Sequence, residues 1–143
     1  MTVKAILSTK GYSVQTIQPT ATLAEAAKIL DARRIGAVVV LDGDGRVRGM
    51  LSERDIVRRL AEHGAGALDL TVGETMTRRV VTCEETDTVS ELMEQMTNGK
   101  FRHVPVVEGD RLIGIVSIGD VVKYRLGEFE AESSAMREYI QTA

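Results

Sequence analysis

A seven-residue stretch occurs twice in this chain, and that duplication limits the possible folds more than any other feature. Gly49-Met50-Leu51-Ser52-Glu53-Arg54-Asp55 reads as glycine, two apolar residues, serine, then aspartate three positions on. Gly114-Ile115-Val116-Ser117-Ile118-Gly119-Asp120 repeats the pattern. Each copy predicts a buried strand running straight into a helix N-terminus. Such junctions are where α/β architectures offer backbone donors and a helix dipole to a small ligand. Ser-x-x-Asp before a helix is equally a capping box. The spacing therefore leaves two roles open, helix cap and ligand group.

The repeat extends well beyond these residues. With Val14-Gln15-Thr16-Ile17 laid over Val80-Val81-Thr82-Cys83, Thr20-Ala21-Thr22-Leu23 falls on Thr86-Asp87-Thr88-Val89. Leu23, Ala26, Ala27 and Leu30 then follow the i, i+3, i+4, i+7 spacing of an amphipathic helix, as do Val89, Leu92, Met93 and Met96. An apolar run comes next in each copy, Val38 to Leu41 and Val104 to Val107, and each ends in a glycine turn, Asp42-Gly43-Asp44-Gly45 or Glu108-Gly109-Asp110. The returning strands, Arg46 to Leu51 and Arg111 to Val116, lead into Ser-x-x-Asp. Gly64-Ala65-Gly66-Ala67 reads as the linker, and Thr71-Val72-Gly73-Glu74 as a capping box for a short helix that Thr2 to Ile6 partly echoes.

The length, 143 residues, suits one compact module. Aromatics at 3% without tryptophan, and a net charge of −3, argue against a nucleic-acid partner. The apolar run ending at Leu41 is too short to span a bilayer, and no signal-peptide core follows Met1. One cysteine, Cys83, rules out an intrachain disulfide and suits the reducing cytoplasm; in the slot of Ile17 it reads as a small buried hydrophobe. Asp42, Asp44 and Glu53 fall at calcium-loop positions, but Arg46 and Val47 stand where an oxygen ligand and a glycine are required, so no metal is expected. Ser117, His103 and Asp120 lack a nucleophile elbow, so no enzyme is expected either.

A β-α-β-β-α unit in tandem, each closed by Gly-h-h-Ser-x-x-Asp (h, apolar), resembles a pair of cystathionine-β-synthase (CBS) domains, the adenosine-nucleotide-sensing Bateman module. The resemblance runs from about Thr2 to Leu126, so no separate effector domain is expected within these residues. It implies an α+β fold of two pseudo-symmetric units packed sheet to sheet, residues 1–66 and 67–126, with a C-terminal helical extension over 127–143.

The resemblance also implies roles for residues. Asp55 and Asp120 match the family's ribose-binding aspartate, beside Ser52 and Ser117. The junction before each unit's second strand gives backbone contacts to adenine and basic groups to phosphate: Arg34, Ile35, Gly36 and Ala37 in the first copy, and Lys100, Phe101, Arg102, His103, Val104 and Pro105 in the second. Thr16 and Thr82 open the strands that border adenine. Because only the second junction holds a histidine, two non-equivalent sites are expected. Arg54, Arg58, Arg78 and Arg79 are either phosphate-reaching or solvated. The implied ligands are adenosyl nucleotides, AMP first because one phosphate matches one basic cluster, then NAD(H), ATP or ADP. The implied function is a non-enzymatic sensor whose ligand state is read by an unidentified protein. The competing reading is a structural interaction module with vestigial clefts. Val122, Leu126, Phe129, Ser133, Met136 and Ile140 follow alternating steps of four and three, a helix seam suited to a homodimer or to folding back on its own module.

Overall fold

The computed structural model describes residues 1–142, with side chains to Ile140. Its elements run α1 (Val3–Lys10), β1 (Thr16–Ile17), α2 (Leu23–Arg33), β2 (Ala37–Leu41), β3 (Val47–Ser52), α3 (Glu53–His63), a 3₁₀ segment (Gly64–Asp69), α4 (Val72–Thr75), α5 (Val89–Gly99), β4 (His103–Glu108), β5 (Arg111–Ser117) and α6 (Ile118–Thr142). This is the duplicated α+β unit that the repeat predicts. None of the described helices is long and apolar enough to cross a membrane.

Capping chemistry marks where the helices start. Reciprocal boxes pair Thr22 with Glu25, Ser52 with Asp55, Thr71 with Glu74, and Thr88 with Glu91. Ser117 and Asp120 make the same exchange at the start of α6. Each box satisfies two of the backbone N–H groups that a helix start leaves unpaired.

In the first sheet β1 pairs parallel with β2, and β2 antiparallel with β3. Among the described residues the second sheet holds β4 and β5, because the strand expected to open at Thr82 shrinks to a single bridge between Cys83 and Val106. The reason is Pro105. In the first unit the Val39 N–H donates to the Gln15 carbonyl at 3.4 Å. The residue aligned with Val39 is Pro105, which has no N–H to give, so the ladder stops at Cys83.

The two cores exchange their leading segments. Val3, Ile6 and Leu7 of α1 are buried with Cys83, Val89, Leu92, Val104 and Val116 of the second unit. Val72 of α4 is buried with Leu23, Val38, Leu51 and Ile56 of the first. Matched backbone bonds tie the crossings down: Val3 N–H to Asp87 O at 2.9 Å, and Val72 N–H to Ala21 O at 2.8 Å. The glycine of each repeated stretch marks the same crossing. A Cβ on Gly49 would lie 2.7 Å from the Thr77 carbonyl oxygen, and one on Gly114 would lie 2.9 Å from Leu7 Cδ2.

The last helix runs through Leu126 into the expected C-terminal extension. α6 continues unbroken for 25 residues, roughly 37 Å at 1.5 Å per residue. Val121 is buried and Tyr124 packs against the second core, whereas Val122, Leu126, Phe129, Met136 and Ile140 are exposed. The seam does not fold back on its own module; Ala143 lies outside the described residues.

Candidate functional site

A cavity of about 550 Å³ opens where the two units meet, within the usual range for small-molecule sites. Its first-unit wall is Gly36 and Ala37 at the start of β2, Met50 and Ser52 of β3, and Glu53, Arg54, Asp55 and Val57 of α3. Thr77, Arg79, Val80 and Val81 of the segment entering the second unit close one side, and Lys100, Phe101, Arg102 and His103 close another.

Local chemistry accounts for this assembly. The Glu53 N–H at the start of α3 donates to the Gly36 carbonyl at 3.0 Å, drawing the junction across the helix N-terminus. Thr77 and Met50 exchange backbone hydrogen bonds at 3.0 and 2.9 Å over the gap that Gly49 leaves, which brings the connecting segment to the cleft. Val80 and Val81 follow this segment and line the cavity; like their counterparts Val14 and Gln15 they lie outside the sheet. Arg34 and Lys100 end α2 and α5 in the left-handed conformation, turning each chain back toward its junction.

Electrostatics are uneven. Arg54, Arg79, Lys100 and Arg102 line the cavity against the carboxylates of Glu53 and Asp55, leaving an excess of two positive charges. Asp55 Oδ2 accepts from the Ser52 N–H at 2.9 Å, and the Ser52 hydroxyl accepts from the Asp55 N–H at 3.2 Å. Oδ1 of Asp55 has no partner among the described residues and is available at the cleft. The cap and ligand roles of this box are thus compatible.

The second copy differs. Asp120 caps α6 in the same way, at 2.8 Å, but its Oδ2 also accepts from the Lys10 ammonium at 2.6 Å. Burial raises the Asp120 pKa, and the bonds from Lys10 and Ser117 outweigh that, so the carboxyl titrates below its ordinary value. His103 titrates below 6.5: burial lowers it most, Lys10 and Arg102 lower it further, and Asp120 and Glu53 pull partly the other way. It makes no hydrogen bond to Ser52 or Ser117 among the described residues. Among the described residues, no cluster of His, Cys, Asp or Glu is arranged to hold a metal ion.

Of the residues singled out from sequence, the structure brings Gly36, Ala37, Ser52, Asp55, Lys100, Phe101, Arg102 and His103 to one cavity. Thr16 pairs with Val39 in the sheet, Ile35 packs against the first core, and Val104 is buried in the second. Arg34, Thr82, Pro105, Ser117 and Asp120 lie outside the cavity wall. Arg54 and Arg79 line the cleft, whereas Arg58 does not and Arg78 reaches the Gly73 carbonyl at 3.5 Å. Sequence reading missed Met50, Glu53, Val57, Thr77, Val80 and Val81 as lining residues.

Comparison with known proteins gives one consistent family. The CBS domain model matches residues 3–62 and again 72–127. The crystal structure of a CBS-domain containing protein from Agrobacterium tumefaciens is 51% identical, covering 87% of this chain and 99% of its own, with a TM-score of 0.84. An uncharacterised 17.7 kDa protein of Acidianus ambivalens is 37% identical over 122 residues, 85% of this chain and 71% of that protein. The CBS domain pair of protein MJ0100, solved in complex with 5′-methylthioadenosine and S-adenosyl-L-methionine, is 30% identical over 90% of this chain and 98% of its own, with a TM-score of 0.80.

Proposed function

This chain belongs to the CBS-domain family, as a pair of such domains, and from that premise we propose that it is a regulatory sensor of adenosyl nucleotides. The ligand sits in the cleft between the two units. The observation that carries this reading is the single cavity that joins the Asp55 carboxylate at a helix start to Arg54, Arg79, Lys100 and Arg102. A carboxylate can accept both hydroxyls of a ribose diol, and guanidinium groups bind phosphate bidentately. Val57, Val80 and Val81 supply apolar surface for a base. The excess of two positive charges matches a phosphate monoester, which carries about −1.5 to −2 at neutral pH, so AMP is the first ligand, with ADP, ATP and NAD(H) behind it. The adenosyl compounds held by MJ0100 support the same class.

Binding that favours one setting of the units over another shifts their equilibrium by the difference in affinity. A partner protein then reads the setting. The role is regulatory and not catalytic, and the lone buried thiol suits the cytoplasm. The exposed seam of α6, with Phe129 at 70% and Ile140 at 68% exposure, supports a homodimer. A chain cut after Leu126 should lose that dimer in a sizing experiment, and an unchanged dimer would remove α6 from the role.

Thermal-shift screening tests the sensor reading. A nucleotide at a hundred-fold excess over Kd adds about 2.7 kcal/mol of stability, and Asp55→Asn should abolish most of that gain. No shift with AMP, ADP, ATP, NAD or S-adenosylmethionine would leave the interaction-module reading in its place.

A further inference from the structure

The two copies of the Ser-x-x-Asp stretch are not free to the same degree, and the difference comes from α1. Its last residue, Lys10, places its ammonium 2.6 Å from Asp120 Oδ2 and 2.6 Å from the Ile115 carbonyl oxygen. Both acceptors belong to the second copy. At the corresponding place in the first copy, the backbone of Met50 pairs with that of Thr77, and Asp55 makes no ion pair among the described residues. The Lys10 side chain is 30% exposed and that of Asp120 24%, so the pair is partly shielded from solvent.

Lys10 is held there by packing. Ile6 and Leu7 are buried in the second core, and Leu7 methyls fill the space over Gly114, the residue before Ile115. The helix ends one residue later, at Gly11, whose N–H returns to the Leu7 carbonyl at 2.7 Å. The anchored helix thus delivers a cation to the carboxylate that the repeat would otherwise present to a ribose. Lys10 and the Ser117 N–H both use Oδ2 of Asp120, so a diol that takes both carboxylate oxygens there must first displace the ammonium, which no ion pair requires at Asp55.

We propose that Lys10 is a built-in occupant of the second cleft, so that the chain takes one adenosyl ligand, at Asp55, and keeps the Asp120 position closed with its own N-terminal helix. The inference rests on the sensor reading above. It makes Lys10 the residue that sets stoichiometry.

Calorimetric titration of the full chain with AMP, ATP and S-adenosylmethionine decides the matter. Wild type should bind one equivalent. Lys10→Met, which keeps the aliphatic stem, should bind two, and Lys10→Met with Asp120→Asn should return to one. Asp120→Asn alone should leave the single Kd within about twofold, a fraction of the 1.4 kcal/mol that tenfold represents, whereas Asp55→Asn should remove binding. Two equivalents in wild type, or one in a folded Lys10→Met chain, would overturn the role of Lys10. A single wild-type site lost with Asp120→Asn but kept with Asp55→Asn would also overturn it while leaving the sensor reading intact. No heat from any nucleotide in either protein would bring down the sensor reading, and this inference with it.

Discussion

The contact between Leu7 and Gly114 carries the exchange of leading helices, and a double-mutant cycle measures it. Leu7 is fully buried in the core of a unit that begins some sixty residues downstream. Leu7→Ala removes three carbons at about 0.8 kcal/mol each, and the residual cavity raises the loss to about 2.7–5 kcal/mol. Gly114→Ala places a methyl 2.9 Å and 3.1 Å from the two Leu7 methyl carbons, an overpacking that costs about 1–3 kcal/mol. In the double mutant the new methyl enters the space Leu7 has vacated. The combined loss should therefore fall short of the sum by at least about 1 kcal/mol, where independent sites add to within about 0.5 kcal/mol. Urea unfolding of the four proteins, with equal m-values as the control, supplies the numbers. Strict additivity, or a Leu7→Ala cost below about 1 kcal/mol, would refute the packing of α1 in the second core.

Titration gives three further expectations. His103, followed by NMR in the free protein, should titrate below 6.5, since burial and the neighbouring Lys10 and Arg102 disfavour the imidazolium. Its contribution to stability is complete above 6.5 and lost as pH falls, and a bound phosphate beside it should move the titration upward; a free-protein value at or above 6.5 contradicts the geometry. Cys83, with burial pushing its pKa up to about 12, should resist a thiol reagent at pH 7 in the native state and react after unfolding. The Asp120 carboxyl titrates below its ordinary 3.8, so the stability it adds is present above that pH and lost as pH falls further. Lys10→Met should shrink that acid-limb loss in pH-dependent unfolding, and an unchanged acid limb would show that the pair contributes nothing.

Much of this architecture was legible from the repeat. Apolar spacing, glycine turns and capping residues specify local structure, and their duplication at matched offsets specifies the order of elements. Crossing of the leading helices was not legible, because Val3, Ile6 and Leu7 carry the same helical spacing whichever core they fill. Position in sequence therefore does not reveal that Lys10 meets Asp120. The shortened second sheet could have been read from Pro105, whose missing N–H cancels one ladder bond. At the site, the Ser-x-x-Asp stretch and the Lys100–His103 junction were visible as chemistry. The lining by Thr77, Val80 and Val81 depends on a close approach at Gly49 that involves a distant part of the chain.

The most direct test of the account is a crystal structure of the chain grown with AMP. One nucleotide per chain is expected between the two units, its ribose on the Asp55 carboxylate, its phosphate among Arg54, Arg79, Lys100 and Arg102, and Lys10 still on Asp120. A nucleotide seated on Asp120 with Lys10 displaced, or a cleft left empty at saturating AMP and at saturating ATP, would contradict it.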